Sequence, residues 1–213
     1  MAQVYLTFDD GPVFGTDDVI GVLNETSAKG TLFMVSDHTA GTWSAKVLKD
    51  AQASAFVQIG NHSKTHANLK YQEYYRKNPA EILANFLEAN TVLGLNKKPF
   101  HARLPGRNTW RVDGINRTNL NSGAAADILA RNGFRIYGWD VEWGHTQGIC
   151  DGTPAEIAAR IGAKAGSAAK PGKVIVLMHD AQFRQSRQQR SKLTELIIAL
   201  RRTGHTLEFI SSY

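Results

Sequence analysis

Apolar residues fall along this chain in short dense runs, separated by longer stretches of helical spacing. The runs at 4–8, 31–35, 56–59, 100–104, 134–141, 174–178 and 206–210 are rich in Val, Ile, Leu and Phe, and most show no clean alternation. Strands buried on both faces look like this, as in a parallel sheet. Between them, Ile82, Leu83, Phe86 and Leu87 mark an apolar stripe at helical spacing, opened by Asn78-Pro79. Thr153-Pro154-Ala155-Glu156 has the spacing of a capping box with proline at the first helical position. Lys29-Gly30, Asn132-Gly133 and Thr203-Gly204 each put a glycine after a helical stretch and before a strand, where a left-handed residue closes a helix. Such joins imply right-handed crossover units. The pattern therefore predicts an α/β fold of about seven parallel strands, either barrel-like or open and doubly wound. No Gly-x-Gly-x-x-Gly follows the first strand, which removes the main support for dinucleotide binding. Residues 107–122 are polar, rich in Asn and Arg, and read as one long loop.

Composition narrows this little further. The 213 residues are 42% hydrophobic and 21% charged, as expected for one globular domain over 1–213. No apolar stretch approaches the roughly 20 residues of a membrane helix. Met1-Ala2-Gln3 leads straight into a strand without a basic and apolar leader, so the expectation is an exported protein whose leader is absent from this sequence, or a cytoplasmic one. The single Cys150 excludes an internal disulfide and a multi-cysteine zinc site. A net charge of +6 favours polyanions, among which anionic envelope polymers and nucleic acid are the candidates. No basic stripe interleaved with aromatics supports nucleic acid, and Arg184, Arg187 and Arg190 read as a solvated helix start.

Candidate chemistry gathers at the ends of the predicted strands. Asp9 and Asp10 close the first apolar run, and Gly11-Pro12 turns the chain. Two adjacent carboxylates at a buried rim are costly unless they hold a metal, a cation or a proton. His62 and His66 follow the third run at a spacing that puts both imidazoles on one face of a helical turn. Two histidines and one carboxylate form an open ligand set for zinc. Arg103-Leu104-Pro105-Gly106 ends the fourth run, and Arg103 is placed to pair with one aspartate and leave the other for metal. In Trp139-Asp140-Val141-Glu142-Trp143, strand alternation puts Asp140 and Glu142 on one face. An apolar run ending in Leu177-Met178 delivers His179, the favoured acid/base group, to the rim. Trp110 and Trp143 are candidates for stacking on sugar rings or for core packing.

Residues 7–12, His62-Ser63-Lys64-Thr65-His66, residues 103–106, residues 139–143 and Leu177-Met178-His179 resemble, in order, the five motifs of the polysaccharide deacetylases, carbohydrate esterase family four. The resemblance implies a distorted (β/α) barrel forming a single catalytic domain. It implies a metal-dependent enzyme that hydrolyses N-acetyl groups of an amino-sugar glycan of the chitin, chitooligosaccharide or peptidoglycan type. The alternatives on the same fold are an O-acetyl (xylan) esterase and an inactive carbohydrate-binding relative. It implies roles: Asp9 as base; Asp10, His62 and His66 as ligands to one divalent ion, Zn²⁺ first and Co²⁺ or Ni²⁺ as substitutes. Arg103 positions the base, His179 is the general acid, Leu177 walls the acetyl pocket, and Pro105 and Trp143 fall in motifs that line the substrate. Two departures stand out. Gly106 directly follows Pro105, and the acid that tethers His179 falls at Glu142, with Asp140 as substitute. The implied protein is a secreted or cell-envelope monomer acting on an acetylated glycan, without nucleic acid or a membrane span.

Overall fold

A computed structural model describes residues 1–213. The strands are β1 (Gln3–Asp9), β2 (Gly30–Met34), β3 (Val57–Asn61), β4 (Phe100–Ala102), β5 (Trp110–Val112), β6 (Ile115–Arg117), β7 (Phe134–Ile136), β8 (Val141–Glu142), β9 (His145–Thr146), β10 (Ile149–Cys150), β11 (Lys173–His179) and β12 (Thr206–Leu207). The helices are α1 (Thr16–Thr26), α2 (Thr42–Ala53), α3 (Tyr71–Tyr74), α4 (Pro79–Leu93), α5 (Gly123–Arg131), α6 (Pro154–Lys164) and α7 (Arg190–Arg202). No helix is long and apolar enough to cross a membrane.

The main sheet runs β6-β5-β7-β4-β3-β2-β1-β11-β8, with β12 also on β1. From β7 to β8 every pairing is parallel, which gives the seven-strand parallel array expected. β12 pairs with Gln3 and Val4 at the start of β1, and β2 pairs with Thr7 to Asp9 at its end. The two therefore share one edge of the first strand.

The sheet curls because β7 and β8 lie at opposite ends of the parallel array yet belong to one stretch of chain. Tyr137 N–H donates to Ala102 on one side, and three residues later Asp140 N–H donates to Ile175 on the other. The single strand expected over 134–141 is thus two strands, split where the chain crosses the seam. Gly138 sits at the crossing; a Cβ there would lie 2.0 Å from Asn108 Oδ1 and 2.2 Å from Trp110 Nε1.

Alternation along the strands divides the core into layers. On β1, Val4, Leu6 and Phe8 pack outward with α1, α6 and α7, while Tyr5 joins Phe33, Tyr137, Ile175 and Tyr213 inside the curl. On β11, Val174, Val176 and Met178 face outward and Ile175 faces in. Extending the same period inward from Tyr5 and Ile175 brings Thr7, Asp9, Leu177 and His179 to the inner face at the strands' C-terminal ends.

Local details depart from the sequence pattern in three places. The loop expected over 107–122 contains the antiparallel hairpin β5–β6, which extends the sheet beyond β7. The last strand is only Thr206–Leu207, and Ile210 lies in a 3₁₀ turn. Gly133 and Gly204 follow their helices with φ of +93° and +80°, but α1 ends earlier, with Ser27 in the left-handed position and Gly30 opening β2. The capping box of Thr153 and Glu156 is present, and Asn78 caps α4.

Candidate active site

At the C-terminal rim of the inner face lies a recess of about 220 Å³ bordered by Asp9, Asp10, His62, His66, Leu177 and His179, with Tyr71, Gly106, Trp139 and Glu142 completing its wall. A larger recess of about 490 Å³, from Gln58 to His101, lies where β3 and β4 begin and holds no carboxylate. Chemistry, not size, therefore marks the site.

Asp10 leaves β1 with φ of +80°, so its side chain turns away from the direction strand alternation would give it. Its Oδ1 lies 3.0 Å from His66 Nε2 and 3.5 Å from His62 Nε2. The three ligand atoms all lie within 4.8 Å of one another. His62 Nδ1 is 2.9 Å from the Arg103 carbonyl, which can only accept, so Nδ1 carries the proton and a neutral His62 turns the Nε2 lone pair toward Asp10. Asp10 Oδ1 is buried without a conventional hydrogen-bond partner. An orphaned carboxylate oxygen facing two imidazole nitrogens fits a divalent cation. Burial opposes ionisation of Asp10, yet the adjacent His62 and His66 outweigh it and hold its carboxyl well below the usual carboxylate range. Burial likewise disfavours a charged His62, but Asp9 and Asp10 outweigh it and raise its pKa.

No helical turn brings the two histidines together. Ser63 and His66 to Leu69 all have positive φ, so this loop is a left-handed path after β3. Asn61 anchors it from full burial: its amide donates to Phe86 O and Asn90 Oδ1, and its Oδ1 accepts the Ser63 N–H. The strand-end asparagine is visible in the sequence, but its role depends on α4 packing beside it.

Arg103 is wholly buried, and its guanidinium reaches Asp9 Oδ1 at 2.9 Å, Thr7 Oγ1 at 2.8 Å, Tyr137 O and Gly138 O. The seam crossing thus supplies two of its four acceptors. Burial lowers the pKa of Arg103, and the Asp9 charge opposes that. Asp9, 4% exposed, keeps Oδ2 at 3.6 Å from His62 Nε2.

Several expected residues stand elsewhere. Trp143 is fully buried, donates from Nε1 to Asp151 O at 2.9 Å, and packs edge-on against Phe183. No sugar can reach it. Pro105 is also buried, its carbonyl accepting from Tyr75 Oη, and the neighbouring Gly106 reaches the recess instead. Trp110 belongs to the inner core. Asp140 cannot tether His179, because its two oxygens accept from the N–H groups of Ala169 and Ile175 at the seam. Glu142 lies on the wall, but His179 Nδ1 is buried without a partner, so neither acid holds it there. The nearest aromatic to His179 is His145, edge-on with ring centroids 5.4 Å apart. Tyr71 and Trp139 complete the wall unforeseen: one comes from a short helix without a motif, the other from the strand break.

The sequence model of the polysaccharide deacetylases matches residues 2–117. A chitin disaccharide deacetylase of Vibrio alginolyticus is 30% identical over 201 residues, covering 66% of this chain and 47% of its own. A peptidoglycan-N-acetylglucosamine deacetylase of Bacillus cereus is 29% identical over 184 residues, covering 83% and 59%. The chain therefore spans about half the length of these curated relatives. Among solved structures, a polysaccharide deacetylase of Bacillus cereus superposes with a TM-score of 0.67 at 21% identity, covering 100% of this chain and 95% of that one. The chitin deacetylase of the fungus Colletotrichum lindemuthianum gives 0.71 at 16%, covering 99% and 86%. These likenesses carry the fold.

Proposed function

Because the chain belongs to the polysaccharide deacetylase family, we propose that it hydrolyses N-acetyl groups of an amino-sugar glycan of the chitin, chitooligosaccharide or peptidoglycan type and releases acetate. The observation that carries this reading is the convergence of Asp10, His62 and His66 beside the Arg103–Asp9 pair and His179 in one recess. Asp10, His62 and His66 would hold one divalent cation, with zinc the first expectation from two imidazoles and a carboxylate. Such an ion, when bound, supplies Lewis acidity toward the amide carbonyl and lowers the pKa of water.

The chain's own groups handle the rest. Arg103 donates to Asp9 Oδ1 and fixes the carboxylate at the rim, so Asp9 is the base that takes a proton from the attacking water. Thr7, which donates to Val176 O and accepts from Arg103, locks the guanidinium from below. His179, on the strand beside Asp9, gives a proton to the departing amine. Leu177, one inward position below His179, provides an apolar wall for the acetyl methyl group. Trp139 and Tyr71 offer ring faces for the sugar. Cell-envelope or extracellular glycan is the matching location.

Acetate release from N-acetylglucosamine oligomers tests the reading, with acetylated xylan in parallel. Release that stops in chelator and returns with Zn²⁺ is expected. Release from xylan alone, or none from any glycan after metal is restored, would overturn it.

A further inference from the structure

Beside the recess, the rim carries a cationic pocket and an exposed aromatic pair that the proposed chemistry leaves unused. The pocket, about 390 Å³, is lined by His145, Gln147, Gly148, Ala181, Arg184 and Arg187. His145 links it to the site, since its ring packs against His179. Neither Arg184 nor Arg187 is in an ion pair, whereas the nearby Arg190 is held by both Asp18 and Glu25. The adjoining carboxylates are engaged: Asp18 also accepts the Gln185 N–H, and Asp151 accepts from Thr146 Oγ1. Arg184 is anchored from Nε to the Phe14 carbonyl, and its guanidinium lies over the Phe14 ring, 5.6 Å from the centroid. Phe14 in turn packs on Trp43 at 5.0 Å between centroids. Phe14 is 66% exposed and Trp43 38%, a large apolar surface that the core does not use.

We propose that this rim binds an acidic glycan. Phe14 and Trp43 present ring faces to sugar, and Arg184 and Arg187 take carboxylates on residues next to the one being deacetylated. The substrate class is then an amino-sugar polymer bearing carboxylates, in preference to a neutral one; this deepens the deacetylase reading and rests on it. Two unpaired guanidiniums suit carboxylates, which accept their N–H groups in a fork. Aromatic faces beside them suit the apolar faces of pyranose rings. The net charge of +6 favours approach of the same class of ligand.

The test compares an oligosaccharide alternating N-acetylglucosamine and N-acetylmuramic acid with the same compound after conversion of its carboxylates to amides. Binding is measured by calorimetry on the Asp9→Asn protein, which keeps the metal ligands. The acid form is expected to bind about tenfold tighter than the amide at low salt, an advantage that shrinks as ionic strength rises. Arg187→Gln, which disturbs no ion pair, is expected to remove most of that advantage and leave binding of neutral chitohexaose unchanged. Phe14→Ala is expected to weaken acid and amide forms equally, about fivefold. Equal affinity for acid and amide, or an acid preference that survives in both Arg184→Gln and Arg187→Gln, would overturn the proposal. So would a short DNA strand that binds this rim more tightly than the acid glycan. Absence of acetate release with a retained acid preference would count against the deacetylase reading alone.

Discussion

Asp9 and His179 stand directly opposite each other in the parallel register of β1 and β11. Adjacent strands lie about 4.8 Å apart, and residues in register on a shared face point the same way. One backbone pairing therefore sets two groups suited to proton transfer side by side. Thr7 and Leu177 stand in register one inward position below. Asp10, one residue past Asp9, would point to the opposite face by strand alternation; its positive φ turns it back to the rim, so two consecutive aspartates border one recess and reach different partners.

That backbone angle shapes the first prediction. Asn tolerates the left-handed region better than Ala does, so Asp10→Asn should keep the loop and remove the charge. Metal content by elemental analysis should fall from about one ion per chain to near zero after dialysis. Acetate release should fall by about a thousandfold or more. A variant that retains both its ion and its activity would remove Asp10 from the ligand set.

Arg103→Met tests the buried pair. The substitution leaves Asp9 charged and 4% exposed without its cation, and breaking a buried pair in this way costs about 3–5 kcal/mol. The urea midpoint should drop accordingly. Adding Asp9→Leu should restore much of the loss, because an apolar pair replaces an uncompensated charge. Arg103→Lys should also be destabilising, since a single ammonium cannot satisfy Asp9, Thr7, Tyr137 and Gly138 at once.

The sequence made the parallel strands legible because a strand buried on both faces leaves a dense apolar run, as in Val4-Tyr5-Leu6 and residues 174–178. The polar residues ending those runs were legible for the same reason: Asp9, Asp10, His62, Arg103 and His179 interrupt or end apolar segments. What could not be read was set by long-range contact. Asp140 and Glu142 share a face only if the chain stays extended from residue 134, and the seam crossing at Gly138 breaks that. Trp143 carries no mark distinguishing a ring that meets sugar from one that meets Phe183. The histidine loop is left-handed because Asn61 on β3 accepts from Ser63 N–H while Asn85 on α4 accepts from Lys64 N–H and donates to Thr65 Oγ1, with Asn90 on α4 holding Asn61 in place, pairings far apart in sequence.

The two charge states of His62 give a prediction with a definite sign. Its folded pKa lies above the ordinary value of 6.5, because the Asp9 and Asp10 charges outweigh burial. A raised folded pKa contributes stability that is full below the unfolded value and lost as pH rises through the folded one. Metal-free protein should therefore melt at a higher temperature near pH 6 than near pH 8.5. Metal-loaded protein should behave oppositely, because the ion needs neutral imidazole and protons displace it as pH falls. Thermal melts with chelator and with Zn²⁺ should converge on the acidic side and separate on the alkaline side. Parallel curves would show that His62 does not bind the ion.

Trp139 and Trp143 flank the same short strand and should respond in opposite ways. Trp143 is fully buried, hydrogen-bonded through Nε1 and packed on Phe183. Truncation there opens a cavity in the outer core, and Trp143→Ala should cost about 3–5 kcal/mol. The fraction that remains folded should keep its KM for glycan, because the side chain touches no substrate. Trp139 is only half-buried and borders the recess. Trp139→Ala should leave the urea midpoint within about 1.5 kcal/mol of the parent and raise KM about tenfold through the lost stacking surface. Measuring both quantities on both variants separates the roles, and a KM unchanged in Trp139→Ala would take that ring out of the substrate site.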